Sequence, residues 1–195
     1  MKAETKAADL RSMIGKLSTA MAKLDTGDLA DLRRADCEGS GPAAFWRLAA
    51  ACGFLDDNRS EAWMRIVKIM AILTPKGARV KPIHDPKKKI GSVLCDGGNP
   101  GWRPSEPPLL SETRLMRFLA EPPGRRAVSL ERIARMIVAK RTGEPNIDCT
   151  EIAGLLLFQD RSFAIKNIAR DYYRRLDGAV AQTAEAPDVT EEDDN

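Results

Sequence analysis

The chain has 195 residues with 31 basic side chains, 28 acidic ones and a single histidine, long enough to bury a real core in one domain or two small ones. No apolar run approaches the roughly 18 residues that span a membrane, and no apolar stretch near Met1 has the form of an export signal. The formal charge of +3 hides a split: residues 177–195 hold seven acids and no base, so 1–176 carries 31 basic against 21 acidic side chains, which points to nucleic acid or an acidic protein as partner.

The pattern predicts an all-α chain of about eight helices in two helical lobes. Residues 6–24 form the first helix, with Leu10, Met13, Ile14, Leu17, Met21 and Leu24 at helical spacing and Asp25-Thr26-Gly27 as its stop. A short helix follows over 28–35. Pro42 opens a third through about Ala51, and Gly53 closes it. Ser60 is placed to cap a fourth, 61–73, whose inward face is Trp63, Ile66, Val67, Met70 and Leu73, and Pro75 ends it. These elements make an N-terminal lobe, 1–73.

Residues 74–110 hold seven prolines and five glycines and read as a connection with room for a helical turn or two at 90–94. Regular helix resumes at Ser111 and runs to Ala120, where Pro122-Pro123-Gly124 breaks it. Ser129 is placed to cap a helix to about Arg141. Asp148-Cys149-Thr150-Glu151 has capping-box spacing ahead of 152–158, and a last helix covers about 161–176. These form a C-terminal bundle, 111–176. The tail 177–195 is too polar to bury and reads as disordered.

The sequence has little equipment for chemistry. His84 is alone in the Pro-rich connection and reads as a bystander. Gly97-Gly98-Asn99-Pro100-Gly101 lacks the Gly-Lys-Ser/Thr of a phosphate cradle. Asp56-Asp57 offers no converging set for a metal nuclease. Cys37, Cys52, Cys95 and Cys149 are widely separated, which favours free thiols in a reducing cytoplasm over zinc. No enzyme and no cofactor is expected.

Arginine is the distinctive feature, 19 against 12 lysines. It recurs one or two steps off the apolar stripe, in Leu32-Arg33-Arg34, Phe45-Trp46-Arg47, Arg114-Leu115-Met116-Arg117 and Arg132-Ile133. A guanidinium is always charged and presents a rigid fork of donors suited to phosphate. Arg161 near a helix start opposes the helix dipole, a local cost that a binding role would explain. Lys87-Lys88-Lys89 lies within reach of phosphate in the connection. Trp46, Trp63, Tyr172 and Tyr173 fit buried helical faces, whereas Trp102 reads as a partner contact.

Gly27-Asp28-Leu29-Ala30-Asp31-Leu32-Arg33-Arg34-Ala35, then Pro42-Ala43-Ala44-Phe45-Trp46-Arg47-Leu48, Ile90-Gly91-Ser92-Val93-Leu94, Ser111-Glu112-Thr113-Arg114-Leu115-Met116-Arg117-Phe118-Leu119 and Ile168-Ala169-Arg170-Asp171-Tyr172-Tyr173 follow one another in this order. Over about residues 8–176 the chain resembles the small subunit (CasB family) of the type I-E CRISPR surveillance complex, Cascade. The resemblance implies a two-lobed, all-α, non-catalytic protein. It implies crRNA, target DNA and the displaced DNA strand as partners, together with the Cascade backbone and large subunits and a second copy of itself. It carries a nucleic-acid-binding role onto Arg33, Arg34, Arg47, Arg114 and Arg117 by motif, and onto Arg132 and Arg161 by position. Gly154 and Leu157 depart from the pattern, standing where relatives often carry a basic or aromatic residue. The rival expectation from composition alone is a helical adaptor whose basic face meets an acidic protein.

Overall fold

The computed structural model describes residues 2–77, 81–103, 105–140, 146–158 and 162–184, and the side chains among them except at 2–8, 162 and 179–184. The described residues form α1 (Lys2–Ala22), α2 (Thr26–Arg34), α3 (Ala43–Cys52), α4 (Ser60–Leu73), α5 (Ile90–Asp96), α6 (Glu112–Leu119), α7 (Pro123–Lys140), α8 (Cys149–Leu157) and α9 (Ser162–Ala184). The class is all-α, as the periodicity predicts. Its one β element among these residues is an isolated bridge between His84 and Ile147.

The central element is α4. Trp63, Met64, Ile66, Val67 and the whole run Ile69–Leu73 are buried, so this helix is covered on nearly every side. It packs against α2, α7 and α8, and one apolar cluster runs continuously from Leu10 to Tyr172. Burying a side chain such as Ile66 or Leu73 is worth about 1.5–3 kcal/mol, and α4 supplies more of them than any other described helix. Its start is fixed by Asp57, not by the expected Ser60 cap. Ser60 lies inside the helix, and the Asp57 carboxylate accepts Arg59 Nε and the Trp63 indole N–H at 2.8 and 3.0 Å. The Arg59 bond, helped by that of Trp63, holds the Asp57 carboxyl well below the usual carboxylate range. Arg59 also donates to the Leu157 carbonyl and lies 5.5 Å from the centre of the Phe158 ring, joining α4 to the end of α8.

The Pro/Gly-rich connection is packed into the body. Its helix α5 lies against α9 in the tightest helix pair of the fold, at Gly91. A Cβ there would fall on the Ile168 carbonyl oxygen and the Tyr172 amide. Trp102 is buried, with the Arg175 guanidinium 5.6 Å from its ring centre; the expected partner contact is an internal one. Arg175 Nε is bonded to Asp96 at 2.7 Å. His84 donates its backbone N–H to the Ser18 hydroxyl and accepts the Cys149 N–H on Nδ1 at 3.2 Å. Burial lowers its pKa, which keeps the imidazole neutral and Nδ1 able to accept. The lone histidine is a structural tie.

Three boundaries differ from expectation. The stop at Pro122-Pro123-Gly124 is the start of α7, because proline costs nothing in a first turn where its missing N–H would be unpaired. Ser129 consequently lies inside the helix and is no cap. The capping box at Asp148 is half formed: Asp148 accepts the Thr150 N–H, but Glu151 turns away to accept the Ile90 N–H at 2.8 Å, tying α8 to α5. The last helix, α9, continues to Ala184, eight residues beyond the expected end, and the tail 185–195 lies outside the described residues.

Gly91 and Gly154 should respond oppositely to the same change. Gly91→Ala should destabilise by about 1–3 kcal/mol through overpacking. A Cβ on Gly154 meets nothing within 4 Å, so Gly154→Ala should stabilise by up to about 1 kcal/mol from helix propensity. Urea denaturation of the two variants checks both signs.

Candidate nucleic-acid interface

Arg114 and Arg117 are three residues apart on α6 and therefore share a face one turn apart. Leu115 and Phe118 are buried, with Phe118 one turn from Arg114 on the side that faces the core. Arg132 lies on α7, flanked by the buried Leu130 and Ile133. The two helices leave a groove of about 380 Å³ whose walls carry Arg114, Arg117 and Arg132 over an apolar floor that includes Phe118, Ile133 and Met136. All three arginines are exposed. Among the described residues none of them makes a hydrogen bond or ion pair.

One acid shares the lining. Glu121 accepts the Ser129 hydroxyl on Oε1 at 2.6 Å, and its Oε2 is buried without a hydrogen-bond partner. The groove thus presents three cations against one carboxylate that is turned into the wall. Neither Glu121 nor the true position of Ser129 is signalled by the sequence, because both depend on α7 starting at Pro123.

The remaining expected site residues separate by what holds them. Arg33 donates from Nε to the Ala71 carbonyl and from its terminal nitrogen to that of Thr74, both at 2.9 Å. It closes the carbonyl end of α4, where its guanidinium is partly buried. Arg34 is bonded to Asp31 at 3.1 Å, and Arg47 reaches both oxygens of Asp28 at 3.0 and 3.2 Å. Both are exposed surface pairs, each worth about 0–1 kcal/mol, and a competing anion can exchange with them. Each is already paired with an aspartate of α2. Arg161 lies outside the described residues. Lys89, from the lysine run, is held by Asp148 at 2.7 Å, which takes it out of the phosphate-reaching set.

The aromatic expectations divide as well. Trp63 and Tyr172 are buried. Trp46 is 42% exposed rather than in the core, with its indole N–H on the Ser40 carbonyl at 2.8 Å, because Phe45 takes the inward position beside it.

No family model, no curated protein and no solved structure matches this chain.

The two neighbouring arginines of α2 should part in their effects. Arg33→Ala removes two charged donors from helix-end carbonyls and should cost about 1–3 kcal/mol. Arg34→Ala should change stability by less than about 0.5 kcal/mol. Thermal melts of the two variants read the difference directly.

Proposed function

We propose that this chain is a non-catalytic subunit that grips nucleic-acid backbone without reading bases, and that it serves as the small subunit of a type I-E Cascade. The observation that carries the reading is the α6–α7 groove: Arg114, Arg117 and Arg132 converge on one void with no partner among the described residues. Sixteen other arginines share the chain, yet many of those described are bonded to carboxylates or carbonyls, as Arg33, Arg47, Arg59 and Arg175 are. Guanidinium groups left free beside a partly exposed apolar side chain, Met136, suit a strand whose phosphates meet charge while its sugars or bases pass over that side chain. Backbone contacts of this kind position a strand and carry no sequence information.

In a guided complex this is a useful contribution. Exchange of a DNA duplex for a guide–target duplex is nearly balanced in energy, so modest backbone contacts tip it. The chain would hold guide and target backbones and the displaced strand, while separate subunits read the target and cut it. Arg34 and Arg47 would join only as a strand displaces Asp31 and Asp28.

The test is the salt dependence of single-strand binding by the purified chain. Each phosphate contact contributes about 0.7 to the slope of log affinity against log salt. Changing Arg114, Arg117 and Arg132 together to alanine should therefore flatten the slope by about two units and leave the circular-dichroism melt in place. In a reconstituted Cascade the same variant should slow R-loop formation. An unchanged slope together with normal R-loops would remove the groove from the interface. Recovery from cells only with an acidic protein free of RNA would favour the adaptor.

A further inference from the structure

We propose that the α6–α7 groove is also the docking surface for the chain's own acidic segment, residues 185–195, which occupies it until nucleic acid displaces it. The proposal rests on the reading of that groove as a nucleic-acid site and adds its regulation.

Charge complementarity is the first argument. The segment holds Glu185, Asp188, Glu191, Glu192, Asp193 and Asp194, with no basic residue. The groove holds Arg114, Arg117 and Arg132, which make no ion pair among the described residues, and one acid, Glu121, whose Oε1 accepts the Ser129 hydroxyl. The other exposed guanidiniums of the expected track are already neutralised, Arg34 by Asp31 and Arg47 by Asp28. A carboxylate run arriving on this groove meets three guanidiniums close together. Closely spaced carboxylates imitate a phosphate backbone well enough to compete for guanidinium forks, since both anions accept the same paired donors.

Reach is the second argument. Helix α9 is tied to the start of α6: Tyr172 donates its hydroxyl to the carbonyl of Leu110, a groove residue, at 2.7 Å, and the Tyr173 hydroxyl lies 3.1 Å from Glu112. From Tyr173 the helix runs on to Ala184, about 16 Å at 1.5 Å per residue. Arg117 lies about 8 Å along α6 from Glu112 on the same scale. Even if α9 points straight away from the groove, the return path is about 25–30 Å. An extended chain covers about 3.3–3.6 Å per residue, so Glu191 to Asp194, seven to ten residues beyond Ala184, have about 23–36 Å of reach. Asp193 and Asp194, at about 30–36 Å, are long enough to span that path even in its least favourable direction.

The consequence is a built-in competitor. Tethering gives the segment a high effective concentration at the groove, so weak or short polyanions are excluded while a long strand with many phosphates wins. Off its complex, the subunit would be shielded against stray nucleic acid.

The experiment compares the full chain with a version ending at Ala184, each with and without the Arg114→Ala, Arg117→Ala, Arg132→Ala triple change. Single-stranded DNA binding at low salt is the readout. Removing the segment should tighten binding about three- to tenfold, by analogy with the loss of a tethered competitor, and the gain should vanish in the triple variant. A fluorescein-labelled peptide of residues 185–195 should bind the shortened chain and not its triple variant. A gain that persists undiminished in the triple variant means a general charge effect and overturns the proposal, as does a peptide that binds both forms alike. Neutralising only the segment (Glu191→Gln, Glu192→Gln, Asp193→Asn, Asp194→Asn) leaves the helical body untouched and should reproduce the truncation. The parent reading fails separately: a peptide that binds the groove while DNA binding ignores the three arginines keeps the docking contact and removes the nucleic acid.

Discussion

The close approach of α5 to α9 at Gly91 is the constraint on which the rest of the arrangement depends. Only a residue without a Cβ lets the α5 backbone reach the Ile168 carbonyl and the Tyr172 amide. That contact draws the proline-rich connection onto the body. The chain beyond α5 then doubles back, with the Leu109 and Leu110 amides bonded to the Cys95 and Leu94 carbonyls at 2.8 and 2.9 Å. Tyr172 takes the Leu110 carbonyl, and α6 begins there. Helix α7, by contrast, rests on α4, with Lys68 bonded to Glu131 across the contact. The two helices that carry the free arginines are therefore held by different neighbours. The groove is the seam between two anchorages, and no packing requirement closes it.

Arginine does two kinds of work in this fold, and the partner atoms tell them apart. Arg33, Arg59 and Arg175 spend their donors on carbonyls or on half-buried carboxylates and knit helix ends together. Losing one strands an acceptor, so these residues belong to stability. Among the described residues Arg114, Arg117 and Arg132 make no such bonds. Here three free guanidiniums line one groove, while the α2–α3 pair is discounted by its own aspartates.

The helical class was legible because apolar spacing is strong in α1 and α4, where Leu10, Ile14, Leu17 and Met21, and Trp63, Ile66, Val67, Met70 and Leu73, are buried at the expected steps. What was not legible required tertiary partners. Arg33 and Arg34 are neighbours of one type, and only the position of α4 makes the first a helix cap. Trp46 and Trp102 exchanged roles: a loop tryptophan found Arg175 and an internal site, while a helical one lost the inward position to Phe45. Pro123 reads equally as a helix breaker and as a first-turn residue, and only the second places Ser129 inside α7 beside Glu121. The three arginines that converge were named from the sequence, but their convergence comes from anchorage of α6 and α7 far along the chain.

Photocrosslinking tests the central claim most directly. A single strand carrying photoreactive thiopyrimidines is bound at low salt, irradiated, and the attached peptides are identified by mass spectrometry. If the α6–α7 seam is the nucleic-acid face, crosslinks concentrate between Leu110 and Met136 and disappear as salt is raised. Crosslinks confined to α2 and α3, or spread evenly over the basic surface, would contradict it.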